Sequence, residues 1–83
     1  MNRIPPIHCL KTFEVLARVR SMKVAASELC VTPSAISHRM RLMESILQQT
    51  MFDDGDFSLS HEGEKYLCVV QQSLTLLQRY RGV

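Results

Sequence analysis

The sequence predicts a mostly α fold: a three-helix core closed by a short two-stranded hairpin, followed by one long helix. Three observations predict it. Apolar residues recur at spacings of three and four along successive stretches. The helix-start residues Ser21, Thr32-Pro33 and Ser60 stand just before three of those stretches. Asp54-Gly55 lies between two short apolar segments, which is a hairpin signal. Residues 1–60 read as one unit and residues 61–83 as its helical extension.

Each element has its own local cause. Pro5-Pro6 makes an extended lead-in and suits the first turn of a helix. Leu10, Phe13, Leu16 and Ala17 then line one face of a first helix over about residues 6–19. Ser21 caps a short second helix, 22–29, whose Ala25, Ala26 and Leu29 form the buried stripe. The paired alanines let another helix approach closely. Thr32 and Pro33 open a third helix over about 33–48. Ile36, Met40, Met43 and Leu47 form its apolar stripe. Ser34, Ser37, His38, Arg41 and Ser45 form a separate polar stripe. Met51-Phe52-Asp53 and Asp56-Phe57-Ser58-Leu59 flank the turn, and Phe52 and Leu59 are expected in the core. Ser60 caps a last helix over about 61–80, with Glu62 and Glu64 near its positive end. Leu67, Val70, Leu74 and Leu77 repeat at three, four and three, a seam that Tyr80 or Arg81 continues.

Composition narrows the function classes. A chain of 83 residues makes one small domain with little surface buried, so burial against a partner subunit is expected. An apolar share of 46% is too high for a disordered chain. No apolar run approaches the roughly 20 residues of a membrane helix. The start, Met1 to Pro6, lacks a signal-peptide pattern, so a cytoplasmic protein is expected. Cys9, Cys30 and Cys68 are odd in number and far apart, which supports neither a zinc site nor a disulfide framework; they are expected as reduced, partly buried thiols. Charge is divided unevenly. Residues 1–41 hold seven basic and two acidic side chains, and residues 42–83 hold three basic and six acidic. A basic N-terminal half is an electrostatic footprint for phosphate.

The order of elements carries the chemistry. A helix presented by a packed partner helix enters the DNA major groove with its N-terminal residues at base edges and its free N–H groups toward phosphate. Thr32 and Pro33 open such a helix here, and the short side chains of Ser34 and Ser37 suit close approach. Ser34, Ser37 and His38 are expected at bases. Arg39 and Arg41 are expected at phosphates, with Lys23 reaching phosphate from the second helix.

The stretch Arg20-Ser21-Met22-Lys23-Val24-Ala25-Ala26-Ser27-Glu28-Leu29-Cys30-Val31-Thr32-Pro33-Ser34-Ala35-Ile36-Ser37-His38 resembles the helix-turn-helix signature of the LysR-type regulators. The shared features are a serine before Ala-Ala, a Leu, a Val-Thr turn and a central serine. Met43-Glu44, Met51-Phe52 and Leu59-Ser60-His61-Glu62-Gly63 match the family's later landmarks, so the resemblance covers about residues 7–80. It implies a winged helix-turn-helix followed by a linker helix. It further implies a regulator that acts as a homodimer, through antiparallel linker helices, on an AT-rich interrupted palindrome in double-stranded DNA. Leu67, Val70, Leu74 and Leu77 would be the dimerisation residues. Full members carry an effector-sensing domain beyond the linker helix, and Arg81-Gly82-Val83 lies near where it would begin. The chain reads as a DNA-binding fragment or as a naturally truncated relative.

Three departures stand out. Gln48 occupies the family's usual helix-ending glycine, so the third helix is expected to end without a relaxed left-handed residue or to run on. Asp53-Asp54 occupies the usual wing arginine, and Asp56 follows. The wing is also about two residues shorter than usual. Three carboxylates on one tip would repel phosphate, so a wing contact is not carried over.

Other chemistries lack support. His8 and His61 have no i, i+4 partner for a metal. Asp53, Asp54 and Asp56 lack the rest of a calcium loop. Ser37 and His38 diverge by about 100° on a helix and cannot pair as nucleophile and base. No catalytic residue, cofactor or metal is expected. Two function classes fit: a sequence-specific DNA-binding dimer, and a module of the same fold that pairs with and inhibits a related regulator.

Overall fold

A computed structural model describes residues 3–53 and 55–81. The expected Asp54 carboxylate and the last two residues of the chain lie outside the described residues. Among the described residues four helices follow in order: α1 (Ile7–Val19), α2 (Met22–Leu29), α3 (Pro33–Leu47) and α4 (His61–Arg81). Each begins within a residue of its sequence-based position.

The caps explain the starts. The Ser21 hydroxyl accepts from the Val24 amide at 3.2 Å, and Thr32 Oγ1 accepts from the Ala35 amide at 3.2 Å. The Ser60 hydroxyl accepts from the Gly63 amide at 3.0 Å and donates to the Thr50 carbonyl at 2.6 Å. One side chain thus starts α4 and ties it to the segment before the wing. α1 has no side-chain cap; the Cys9 amide donates to the Pro6 carbonyl at 2.9 Å instead.

The stops decide between the two alternatives for Gln48. α3 ends at Leu47, and Gln48 itself is left-handed at φ 58°. Its backbone N–H donates to the Glu44 carbonyl at 2.8 Å, and its side-chain amide donates to the Ser45 carbonyl at 2.7 Å. The side-chain bond satisfies a last-turn carbonyl, which offsets the strain of a side chain in this region. Arg20 and Cys30 end α1 and α2 in the same way, at φ 54° and 59°.

The core lies between α1, α2 and α3, with α4 laid along α1. Leu10, Phe13, Leu16, Ala25, Ala26, Ile36, Met40 and Met43 are buried, as the periodicity implied. Leu29, Leu47, Phe52 and Leu59 were expected in the core but are half-buried and pack against it from outside. Val15, Met51 and the hydroxyl residue Thr12 are buried without having been singled out, and Cys9 is buried completely. The Thr12 hydroxyl stays satisfied by donating to the His8 carbonyl at 2.7 Å.

The hairpin is shorter than two strands. Among the described residues it holds one antiparallel bridge, Phe52 to Leu59, framed by Asp53 N–H to Ser58 C=O at 2.7 Å and Ser60 N–H to Met51 C=O at 2.9 Å. Phe57 at φ 60° turns the chain out of the extended region and interrupts the ladder. Its ring meets Phe52 edge-on at 5.8 Å, and Phe52 meets Phe13 edge-on at 5.5 Å. Aromatic contact therefore joins the wing to α1 where strand pairing is brief. No helix among the described residues is long and apolar enough to cross a membrane.

Candidate nucleic-acid interface

The third helix presents its polar face outward. Thr32, Pro33, Ser34, His38 and Arg41 are exposed, and Ser37 is half-buried at the edge of the same face. The opposite face, with Ile36 and Met43 fully buried, anchors the helix on α1 and α2. A groove of ≈310 Å³ runs between α3 and the wing. Ser37, Arg41 and Glu44 line it from the helix side, and Asp53, Gly55 and Phe57 from the wing side. Lys23 is exposed near the start of α2. Among the described residues Lys23 and Arg41 form no ion pair, whereas Arg18 is held by Glu14 at 3.5 Å and by Glu28.

Arg39 makes a contact within the chain. Its guanidinium donates to Thr12 Oγ1 at 3.1 Å, and the residue is half-buried at the α1–α3 seam. Helix geometry is the reason: Arg39 lies about 100° around the helix from His38, on the flank that meets α1. The Thr12 hydroxyl thus accepts from Arg39 while donating to His8, which joins α3 to α1 through a buried polar atom.

Two contacts beside the groove were not legible in the sequence. Glu44 accepts a hydrogen bond from the Met51 amide at 2.7 Å and so fixes the path from α3 into the wing. Arg20 reaches across to the wing, donating to Ser58 Oγ at 2.9 Å and lying 3.4 Å from Asp56 Oδ2. The Asp56 carboxyl is held below its ordinary pKa, first by hydrogen bonds from the Ser58 amide and hydroxyl and then by the Arg20 charge. Of the wing carboxylates described, Asp56 is partnered by Arg20 and Asp53 is exposed. Both contacts span turns, so no local pattern announces them.

The fourth helix divides its apolar residues between two faces. Of the expected seam, Val70 and Leu74 are already buried against the chain's own core and Leu67 is half-buried, while Leu77 is 58% exposed. A second row at spacings of four, three and four, Val69, Ser73, Leu76 and Tyr80, points away from that core. Its large members are 56%, 63% and 82% exposed. Beside it, a mainly apolar groove of ≈540 Å³ lies between the N-terminal lead-in and α4, bordered by Ile4, Ile7, Val69 and Leu77. The three cysteines are free thiols; Cys9 is buried, but Cys30 and Cys68 are exposed rather than partly buried.

Comparison with known proteins places this arrangement. Residues 7–64 match the family of bacterial regulatory helix-turn-helix proteins of the lysR type. The chain is 38% identical over 78 residues to the glycine cleavage system transcriptional activator homolog of Haemophilus influenzae, covering 92% of this chain and 26% of that protein. It is 39% identical over 83 residues to the transcriptional activator AmpR of Pseudomonas aeruginosa, covering 93% of this chain and 28% of that one. The chain therefore spans about a quarter of the length of these curated relatives. The structure of full-length CbnR complexed with its target DNA superimposes with a TM-score of 0.84 at 25% identity, covering 90% of this chain and 25% of that chain. With most of its length matched and its helix order reproduced, this chain belongs to the lysR family of bacterial regulatory helix-turn-helix proteins.

Proposed function

We propose that this chain is a sequence-specific DNA-binding domain of a transcription regulator, acting as a homodimer on an AT-rich interrupted palindrome. The observation that carries the reading is the outward polar face of α3, Ser34, Ser37, His38 and Arg41, flanked by the wing groove in a chain of this family. Support also comes from CbnR, whose structure was solved with its target DNA. In this reading the N-terminal half of α3 lies in the major groove. Ser34, Ser37 and His38 meet base edges. Arg41, Lys23 and the Ser34 amide in the first turn hold phosphate. Arg39 acts behind them, fixing α3 to α1 through Thr12.

Dimerisation follows from the exposed row on α4. Val69, Leu76, Leu77 and Tyr80 form an apolar surface too large to leave in water, and a second α4 is its occupant. A two-fold dimer then matches a two-fold DNA site. Leu67, Val70 and Leu74 shape this helix from beneath, so Leu74→Asp would unfold the domain. Leu76→Asp is the dissociating variant.

Gel-shift titration against AT-rich palindromes at two salt concentrations tests the reading. Arg41→Ala weakens binding to all sequences and lowers the salt slope by about one. His38→Ala costs about 1–3 kcal/mol on the preferred site and little on random DNA. Leu76→Asp is monomeric by light scattering and binds half-sites only. A parent chain that binds none of these duplexes at low salt refutes the DNA reading.

A further inference from the structure

We infer that Arg20 is the positioning residue of the wing, holding it against the groove beside α3 and supplying the cation that its acidic tip lacks. The inference rests on the DNA-binding reading above and deepens it. Arg20 stands in the left-handed region at φ 54°, where a glycine is the relaxed choice. A long charged side chain at such a position calls for a contact that glycine would not make. That contact is present. The Arg20 guanidinium reaches Ser58 Oγ at 2.9 Å, Asp56 Oδ2 at 3.4 Å and the Asp56 carbonyl at 3.5 Å.

The consequences are geometric and electrostatic. Ser58 is joined to Asp53 across the wing by the Asp53 N–H to Ser58 C=O bond, and Asp53 lines the groove that Ser37 and Arg41 face. Fixing Ser58 therefore fixes the groove wall opposite the polar face of α3. Among the described residues the ladder that should do this holds one bridge, so the wing depends on a side-chain tie from outside itself. The same guanidinium neutralises Asp56, which would otherwise repel a nearby DNA backbone. Five N–H donors let it hold Ser58 and Asp56 and still offer a donor to phosphate.

The substitution Arg20→Gly separates this role from ordinary stabilisation, because the two have opposite signs. Glycine relaxes the backbone, so the melting temperature rises by about 3–6 °C. Loss of the tie speeds hydrogen exchange at the Asp53 amide and weakens binding to the preferred duplex about three- to tenfold at low salt. Adding Asp56→Asn to Arg20→Gly recovers part of that loss, since the unmatched charge is gone. A thermal rise with unchanged Asp53 exchange and unchanged affinity overturns the inference, provided Arg41→Ala in the same titration still weakens binding. If Arg41→Ala is silent as well, or the parent does not bind, the DNA reading itself fails. The Asp53 exchange rate then still decides whether Arg20 holds the wing.

Discussion

Gly63, the glycine of the Leu59-to-Gly63 landmark, offers the sharpest test of the fold. Gly63 sits in the first turn of α4, where a Cβ would overlap the Met51 carbonyl oxygen and lie 3.0 Å from its carbon and 3.2 Å from Leu59 Cδ2. The obstacle is backbone and cannot rotate away. In Gly63→Ala the start of α4 must withdraw from the wing by a distance on the order of 1 Å. Helix propensity alone would favour alanine by up to about 1 kcal/mol. Against that stand the Ser60 N–H to Met51 C=O bond at 2.9 Å and the Ser60 cap on the Gly63 amide at 3.0 Å. Each contributes about 1 kcal/mol, and overpacking adds about 1–3 kcal/mol more. The net expectation is a loss of about 2–4 kcal/mol, or a melting temperature lower by about 10–25 °C for a domain of this size. Thermal unfolding followed by far-ultraviolet circular dichroism measures it. Gly55→Ala is the control: Gly55 has φ +98° but open space around a Cβ, so it should lose only about 1 kcal/mol. A Gly63→Ala protein that melts at or above the parent temperature refutes the packing argument.

Other consequences are open to equally direct measurement. Cys30→Gly relieves a left-handed side chain at φ 59° and should raise stability by about 0.5–1 kcal/mol in urea denaturation. Arg39→Met should lower stability by about 1–2 kcal/mol through loss of its bond to Thr12, yet leave the salt slope of DNA binding unchanged; a slope lower by about one would return Arg39 to the phosphates. Burial raises the Cys9 thiol pKa, which keeps the thiolate scarce at neutral pH, so a thiol reagent should label Cys30 and Cys68 rapidly and Cys9 only on unfolding. Rapid labelling of all three in the native protein would contradict that. The Asp56 pKa is lowered, so its hydrogen bond from the Ser58 amide is complete at neutral pH and lost only as pH falls through that lowered value. The Ser58 amide resonance should therefore titrate with a midpoint below the ordinary 3.8.

Local chemistry made much of this fold legible. Ser21, Thr32-Pro33 and Ser60 start their helices because a cap needs only the next three residues, and the stripes of α1 and α3 appear because the core takes one face of each. The sequence alone also determined that Ser34, Ser37, His38 and Arg41 share one side of α3, since helical spacing dictates it. Tertiary structure decided what spacing leaves open. α4 carries two apolar rows, and only its packing on α1 chose Val70 and Leu74 for the interior while leaving Val69, Leu76 and Tyr80 outside. Arg39 turned to Thr12 because the α1–α3 seam placed a buried hydroxyl within its reach. Arg20 found Ser58 and Asp56 nearly forty positions away, and Gln48 became left-handed because the chain had to turn toward the Glu44–Met51 bond. Each of these depends on where distant backbone arrives, a position set by the collapse of the whole core rather than by the neighbours of any one residue.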